Sequence, residues 1–257
     1  MIVELLLFSG VILLIAYGFY RQRRPDLVIL QLEESQIPEQ LDELLEEKQP
    51  IVVRGIAPPK GMTLDSFQKI ERLGKFPVGG HSLSTVLSQP AMLASAAGAP
   101  ALSEEAQEQL AEELALPVWA AHSWLPRLRS ATTFGWAAGT LQARAVLGGL
   151  GLQRTRAITT AIFPTDGKYI VSILSRESEA FLPPKWQYRY PSTFSVNDTP
   201  LVSDLKYLDI VLRPGTGLLL PAHTVFSMAP AEDSSPFQAA AILEYHEPVS
   251  LLVKTLS

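Results

Sequence analysis

An uncharged apolar run at the start of the chain constrains its fold more than any other feature. Residues 5–20 read LLLFSGVILLIAYGFY, and Ile2 and Val3 extend the run past Glu4. A helix rises 1.5 Å per residue, so about 20 apolar residues cross a hydrocarbon layer of ~30 Å. The run therefore predicts one N-terminal transmembrane helix, with a lipid bilayer as the partner of residues 2–20.

The charges that flank this run distinguish an anchor from a cleaved signal peptide. Glu4 lies before it, and Arg21, Arg23 and Arg24 follow. A signal peptide carries its positive charge before the apolar region. Residues 1–24 are thus predicted to be a membrane anchor with a basic flank. The positive-inside rule then predicts a single-pass membrane protein whose C-terminal domain lies on the cytoplasmic side.

Residues 25–257 have the pattern of one α+β domain. Ser103 and the acids after it (SEEAQEQLAEELAL) predict a capped helix in the first half. The second half is rich in short runs of Val, Ile and Leu, such as residues 141–147 and 239–243. Helices followed by many short strands predict an α+β fold around a β-sandwich or barrel.

The dipeptide Asp166-Gly167 lies between two of these strand candidates, residues 157–163 and 168–174. Glycine permits the positive φ that a tight turn needs, so the dipeptide predicts a β-hairpin between the two strands.

Composition excludes several classes of function. The formal net charge of -5 argues against nucleic acid as a partner, because neutralising phosphates needs a basic surface. The sequence has no Cys, which excludes disulfides, iron–sulfur sites and a thiol nucleophile. Residues 148–151 (GGLG) are not followed by the Lys of a phosphate-binding loop.

Three segments, taken in order, resemble the cupin-like (JmjC-type) double-stranded β-helix family. They are PIVVRG at 50–55, DGKYIVSIL at 166–174 with FLPP at 181–184, and VLRPGTGLLLPAHTVFSM at 211–228. The resemblance implies a jelly-roll-like barrel with flanking helices over residues 25–257. It also implies Fe(II) and 2-oxoglutarate, because most enzymes of that family bind iron with a His-x-Asp pair and a distant His.

The same resemblance places those three ligands at Arg154, Arg156 and about Phe226. Arginine offers only donors and stays charged, and phenylalanine cannot bind iron. The expectation is therefore a protein with no metal and no cofactor that leans away from being an enzyme. It would be a membrane-anchored structural or interaction module with an unknown protein partner.

Other residues offer a fallback metal site. Glu244 and His246 would share one face of a strand, since side chains alternate with period 2, and His223 could be the third ligand. This set would make the chain an Fe(II)/2-oxoglutarate-dependent hydroxylase with a non-standard site. The alternative is a turn histidine at 223 and a solvated cross-strand pair at 244 and 246.

Arg154 and Arg156 also allow two interpretations. At positions i and i+2 of a strand, they would point to the same face. On the interior face they would bind a small carboxylate or phosphate through bidentate hydrogen bonds. On the exterior they would be solvated charges.

The aromatic residues Trp186, Tyr188 and Tyr190 alternate in the segment PPKWQYRYP. They predict either an exposed contact surface for a protein or aromatic side chains packed inward.

Overall fold

The computed structural model describes residues 2–22, 26–93, 98–132, 139–235 and 237–256. Within them the helices come mainly first and the strands second. The α-helices are α1 (Ile2–Arg21), α2 (Ile37–Glu46), α3 (Leu64–Lys69), α4 (Leu83–Ser88), α5 (Glu104–Glu113), α6 (Leu116–Ser123), α7 (Leu125–Ala131) and α8 (Pro248–Leu256). The strands are β1 (Leu30–Glu33), β2 (Ile51–Arg54), β3 (Pro77–Val78), β4 (His81–Ser82), β5 (Thr140–Leu147), β6 (Leu150–Arg154), β7 (Thr159–Asp166), β8 (Tyr169–Leu174), β9 (Tyr207–Leu212), β10 (Thr216–Pro221), β11 (Val225–Pro230) and β12 (Ala239–His246).

These strands form two large sheets and one small one. The six-stranded sheet has the order β1-β2-β10-β7-β12-β5, the four-stranded sheet has the order β6-β11-β8-β9, and β3 pairs with β4. Only β1 and β2 run parallel; the other pairings are antiparallel. The α+β class predicted from the sequence is therefore what the structure has. The predicted closed double-stranded β-helix barrel is wrong, because both large sheets keep open edges.

The six-stranded sheet is the middle layer of three. Its outer face packs on helices α2 to α7 in one apolar core. Its inner face packs on the four-stranded sheet in a second core. Strand β12 contributes to both cores by simple alternation: Ala241 and Leu243 face the helices, whereas Ala240 and Ile242 face the other sheet.

The turn at Asp166-Gly167 exists, but the predicted hairpin does not. Gly167 has φ +75°, as the turn requires. However, β7 pairs with β10 and β12, whereas β8 pairs with β9 and β11. The chain thus passes from one sheet to the other at this turn. Strands β7 and β8 therefore each pair with two antiparallel strands from distant parts of the sequence, whereas a hairpin would have paired them with each other.

The segment between β8 and β9, residues 175–206, is here named the strap. It crosses the outer face of the four-stranded sheet and packs Phe194 and Leu205 on Leu152. Its backbone also pairs with β6: Leu152 N–H donates to the Arg189 carbonyl at 2.8 Å, and Tyr188 N–H donates to the Leu152 carbonyl at 2.9 Å. The strap therefore covers what would otherwise be an open edge of that sheet.

The alternating aromatic residues Trp186, Tyr188 and Tyr190 divide between the two predicted roles. Tyr190 is buried, Trp186 is partly buried against the cluster that contains Phe194 and Leu205, and Tyr188 is 48% exposed. The segment is thus mainly a packing element, and only Tyr188 is placed as a contact residue would be.

Close packing of the strap predicts that Gly151→Ala destabilises the fold. A Cβ at Gly151 would lie 2.2 Å from the backbone carbonyl carbon of Tyr188, so the strap would have to move. We expect a loss of about 1–3 kcal/mol in unfolding free energy, measured by urea denaturation. Gly74→Ala is the matched control, because its Cβ would meet Ser84 at an ordinary 3.7 Å. Equal stability of the two variants would contradict this account.

The predicted transmembrane helix is not supported. In the described part of the chain, no helix is long and apolar enough to cross a membrane. Helix α1 forms over Ile2–Arg21, but its last turns bury Ala16 and Tyr20 against the body of the protein. The stretch that precedes these buried residues, Leu5–Ile15, is about 16 Å long at 1.5 Å per residue, roughly half of a ~30 Å hydrocarbon core. The cytoplasmic placement of residues 25–257 depended on a spanning helix and stays a prediction.

Candidate functional site

The space between the two large sheets is filled with apolar side chains. Phe226 and Met228 project into it from β11, opposite Ile162 and Ile242 of the six-stranded sheet. Phe226 is only 1% exposed. The resemblance to cupin-like proteins put a metal ligand at this position, and the structure shows it to be a core residue.

Arg154 and Arg156 both lie at the surface. Arg154 is 38% exposed, and its Nη2 lies 2.9 Å from Oε2 of Glu179, a strap residue. Arg156 is exposed, and its backbone carbonyl accepts a 2.5 Å hydrogen bond from the Tyr20 hydroxyl. Because neither guanidinium is enclosed between the sheets, the condition for an interior anion site is not met. Their placement matches the alternative of exterior charges, and anion binding by this pair stays a prediction.

The fallback metal ligands are only partly brought together. Glu244 and His246 do share a face of β12, with His246 Nε2 at 3.7 Å from Glu244 Oε2. His223 packs its ring against Tyr20, with centroids 4.6 Å apart. Across the ranges that the structure describes, no group of three His, Asp or Glu is arranged to hold a metal ion.

Glu244 is instead the centre of a buried ionic network. Its Oε1 accepts a 2.7 Å hydrogen bond from Nη2 of Arg144, and both residues are buried. Lys254 of α8 lies 3.9 Å from Oε2 and donates to Gln142 at 2.7 Å. Burial by itself would raise the pKa of Glu244, but Arg144, His246 and Lys254 together lower it to about 2. The carboxylate is therefore held ionised and is already satisfied by cations of the protein.

This donor set does not fit Fe(II). The three positions given by the resemblance hold two surface guanidiniums and a buried phenyl ring. The one buried carboxylate of the fallback set pairs with Arg144. A guanidinium that neutralises the carboxylate repels a dication from the same oxygen atoms.

A cavity lies between α1 and one end of the two-sheet body. It has a volume of about 480 Å³ and lies at the end where β8 and β10 finish and β7 begins. Helix α1 closes one side, and contacts near its C-terminal end hold it there. The Tyr20 hydroxyl donates to Arg156, the Tyr20 ring packs on His223, and Lys48 Nζ donates to the Phe19 carbonyl.

The cavity wall is mostly apolar, and its charges are mixed. Apolar residues come from α1, from α2 and from the ends of the strands; they include Ile15, Phe19, Leu45, Leu174, Leu219 and Leu220. Charged residues of both signs also line it: Asp26, Glu46, Lys48, Arg176 and Glu247. A concave apolar site with a few polar groups is the usual form of a small-molecule site.

Comparisons with known proteins add no assignment. No protein-family model matches the chain, and no curated protein matches it. The resemblance to cupin-like proteins therefore stays a prediction.

Sequence reasoning missed the most important residues of both regions. Arg144 is a single charge inside the apolar run LQARAVL, which indicates a buried ion pair, but its partner Glu244 is 100 residues away. Tyr20 belongs to the apolar run and was assigned to the bilayer, yet it makes the main polar contact between α1 and the body. No local pattern reports either contact.

Proposed function

We propose that this protein is a non-catalytic interaction module that contacts a lipid membrane through helix α1. The observation that carries the proposal is the exposed apolar surface of α1. Large apolar side chains are between 40% and 71% exposed at ten of its positions: Leu5, Leu7, Phe8, Val11, Ile12, Leu13, Leu14, Ile15, Tyr17 and Phe19. Contiguous apolar surface of this kind marks an interaction site for a membrane or a partner.

The distribution of these side chains favours lipid over a protein groove. Successive residues of a helix are 100° apart, so the consecutive exposed residues 11–15 point in every direction around the axis. A helix that binds a protein groove needs only one apolar stripe, whereas one that is apolar all round suits a lipid environment.

The length of the exposed part of α1 and the charges at its end support contact with a single leaflet. The stretch Leu5–Ile15, which precedes the buried Ala16, is about 16 Å long, which is about half the thickness of a hydrocarbon core. Arg21 ends the helix, and Arg23 and Arg24 follow in the sequence. Basic residues beside a membrane-inserted segment are attracted to anionic headgroups by about 1 kcal/mol each.

The non-catalytic part of the proposal is supported by the packed interior. Phe226 fills the position at which related enzymes would place a ligand, and the Arg144–Glu244 pair occupies the polar end of β12. These groups have structural roles in the protein. A protein partner for the exposed surface also stays a prediction.

A vesicle flotation assay tests the membrane contact. Full-length protein is mixed with vesicles of phosphatidylcholine and phosphatidylserine, and the floating fraction is measured. We expect Leu7→Glu/Leu14→Glu to reduce binding at least about tenfold, because each leucine contributes about 1.5–3 kcal/mol when it leaves water. Val118→Glu, an exposed apolar position on α6, is the matched control and should float like the unaltered protein.

Two outcomes would reject the membrane contact: unaltered protein that stays with the solvent fraction, or equal flotation of the double variant. Circular dichroism of each variant confirms that a loss of binding is not a loss of folding.

A further inference from the structure

We infer that the cavity between α1 and the two-sheet body accepts an acyl chain of a membrane phospholipid. This inference rests on the proposed membrane contact, because the same helix would then present both the lipid-facing surface and one wall of the cavity.

The cavity wall is continuous with the exposed apolar surface of α1. Ile15 belongs to both, since it is 53% exposed and also lines the cavity. Phe19, one turn further along, is likewise both exposed and part of the lining. An acyl chain lying along α1 can therefore pass from the membrane into the cavity without crossing a polar barrier on the helix.

The body side of the cavity is suited to hydrocarbon. Leu27, Leu45, Ile158 and Val249 line it with partly exposed apolar side chains, and the ends of β8 and β10 complete the wall at residues that are themselves packed in the apolar cores. The volume of about 480 Å³ lies within the range of cavities that enclose drug-sized ligands. An unbranched chain gains free energy at about 25 cal/mol for each Å² of apolar surface removed from water.

The charged residues that line the cavity indicate whether a free fatty acid or a phospholipid supplies the acyl chain. Lys48 and Arg176 are cationic, whereas Asp26, Glu46 and Glu247 are anionic. Three carboxylates disfavour the single negative charge of a free fatty acid. A zwitterionic headgroup carries both signs and can be matched by such a mixed set. The occupant is thus assigned as a zwitterionic phospholipid such as phosphatidylcholine.

Photo-crosslinking tests the site in the full-length protein. Vesicles are prepared with phosphatidylcholine that carries a diazirine at the end of one acyl chain. The protein is bound to these vesicles and irradiated, and the modified peptides are mapped by mass spectrometry. We expect adducts at residues 219–224, in the cavity wall, in addition to adducts on α1. A second set of vesicles carries diazirine-labelled palmitic acid instead.

The adduct positions separate the two proposals. Adducts confined to residues 5–14 would overturn the cavity site and leave the membrane contact standing. Adducts at residues 219–224 from palmitic acid alone would overturn the phospholipid assignment. No adduct anywhere would overturn both.

Two tryptophan variants test whether the adducts at residues 219–224 form inside the cavity. Ala222→Trp fills the cavity from its wall and should lower the yield of adducts at residues 219–224 at least about fivefold relative to α1 adducts. Ala121→Trp places the same side chain at an exposed position of α6, so it should leave the yield unchanged. Equal yields in the two variants would contradict the inference, with circular dichroism as the check on folding.

Discussion

Replacing Glu244 with glutamine is expected to lower the free energy of unfolding by about 3–5 kcal/mol. The substitution removes the charge that compensates Arg144, whose side chain is only 7% exposed. A buried guanidinium left without its carboxylate loses solvation that nothing replaces. The second acid near Arg144, Glu104, is 3.8 Å away and largely exposed, so it compensates weakly. Urea denaturation followed by circular dichroism measures the change.

The double variant Arg144→Met/Glu244→Leu separates the cost of an uncompensated charge from the cost of lost packing. Apolar residues of similar volume often replace a buried ion pair with no net loss. We therefore expect the double variant to be more stable than Glu244→Gln alone. The exposed pair of Arg72 and Glu113 is the control, and its removal should change stability by less than about 1 kcal/mol. A Glu244→Gln effect as small as this would refute the role given to the network.

The pH dependence of stability checks the same interaction. The pKa of Glu244 is 4.5 without the protein environment and about 2 in the folded state. Because the folded-state pKa is lower, the unfolded chain takes up the proton at a higher pH than the folded protein does. The contribution of Glu244 to the free energy of unfolding is therefore complete above pH 4.5 and is lost as the pH falls toward 2. Its size is on the order of 3 kcal/mol. Between pH 5 and 2, the unaltered protein should therefore lose stability by about this amount relative to the double variant, which has no carboxyl group at position 244.

Phe226→His is expected to destabilise the protein by at least about 3 kcal/mol without giving it a metal site. Deleting a buried phenylalanine costs about 3–5 kcal/mol when alanine replaces it. Histidine retains some volume but buries a polar ring among Met228, Ile162 and Ile242. Thermal or urea denaturation measures the loss.

Metal analysis of the triple variant Arg154→His/Arg156→Asp/Phe226→His tests the absence of an iron site directly. This variant restores the ligand types that the resemblance implies. We expect far less than one iron per chain, because the side chain at 154 faces the strap, where Arg154 pairs with Glu179, and not the space between the sheets. Stoichiometric iron in the triple variant would show that the interior still has the shape of a metal site. Tyr207→His, at an exposed aromatic residue of β9, controls for surface binding by histidine.

The sequence predicted the local elements well because their signals are local. The Ser103 hydroxyl accepts from the backbone N–H of Ala106 at the start of α5, as the cap pattern predicts. The apolar runs of the second half became strands β5, β7, β8, β9, β10 and β12 with small shifts of their ends, whereas β6 and β11 were not predicted. Caps and periodic patterns act over one or two turns, so they can be seen in a short window of sequence.

The predictions that failed concern relations between distant elements. The Asp166-Gly167 turn formed, yet its two strands joined different sheets. The apolar run of α1 formed a helix, yet contacts at Tyr20 hold one end of it against the body. In each case the deciding contacts come from residues far away in the sequence.

The amino-acid sequence by itself determined the α+β class, the positions of helix α5 and of strands such as β5, β8 and β12, and the presence of an apolar helix at the N-terminus. Only the tertiary structure decided which strands pair, that Phe226 is enclosed while Arg154 and Arg156 face outward, and that Glu244 is neutralised by Arg144. The physical reason is that burial and pairing depend on the free energy of the whole packed chain, in which a residue's partner is set by topology and not by its neighbours in sequence.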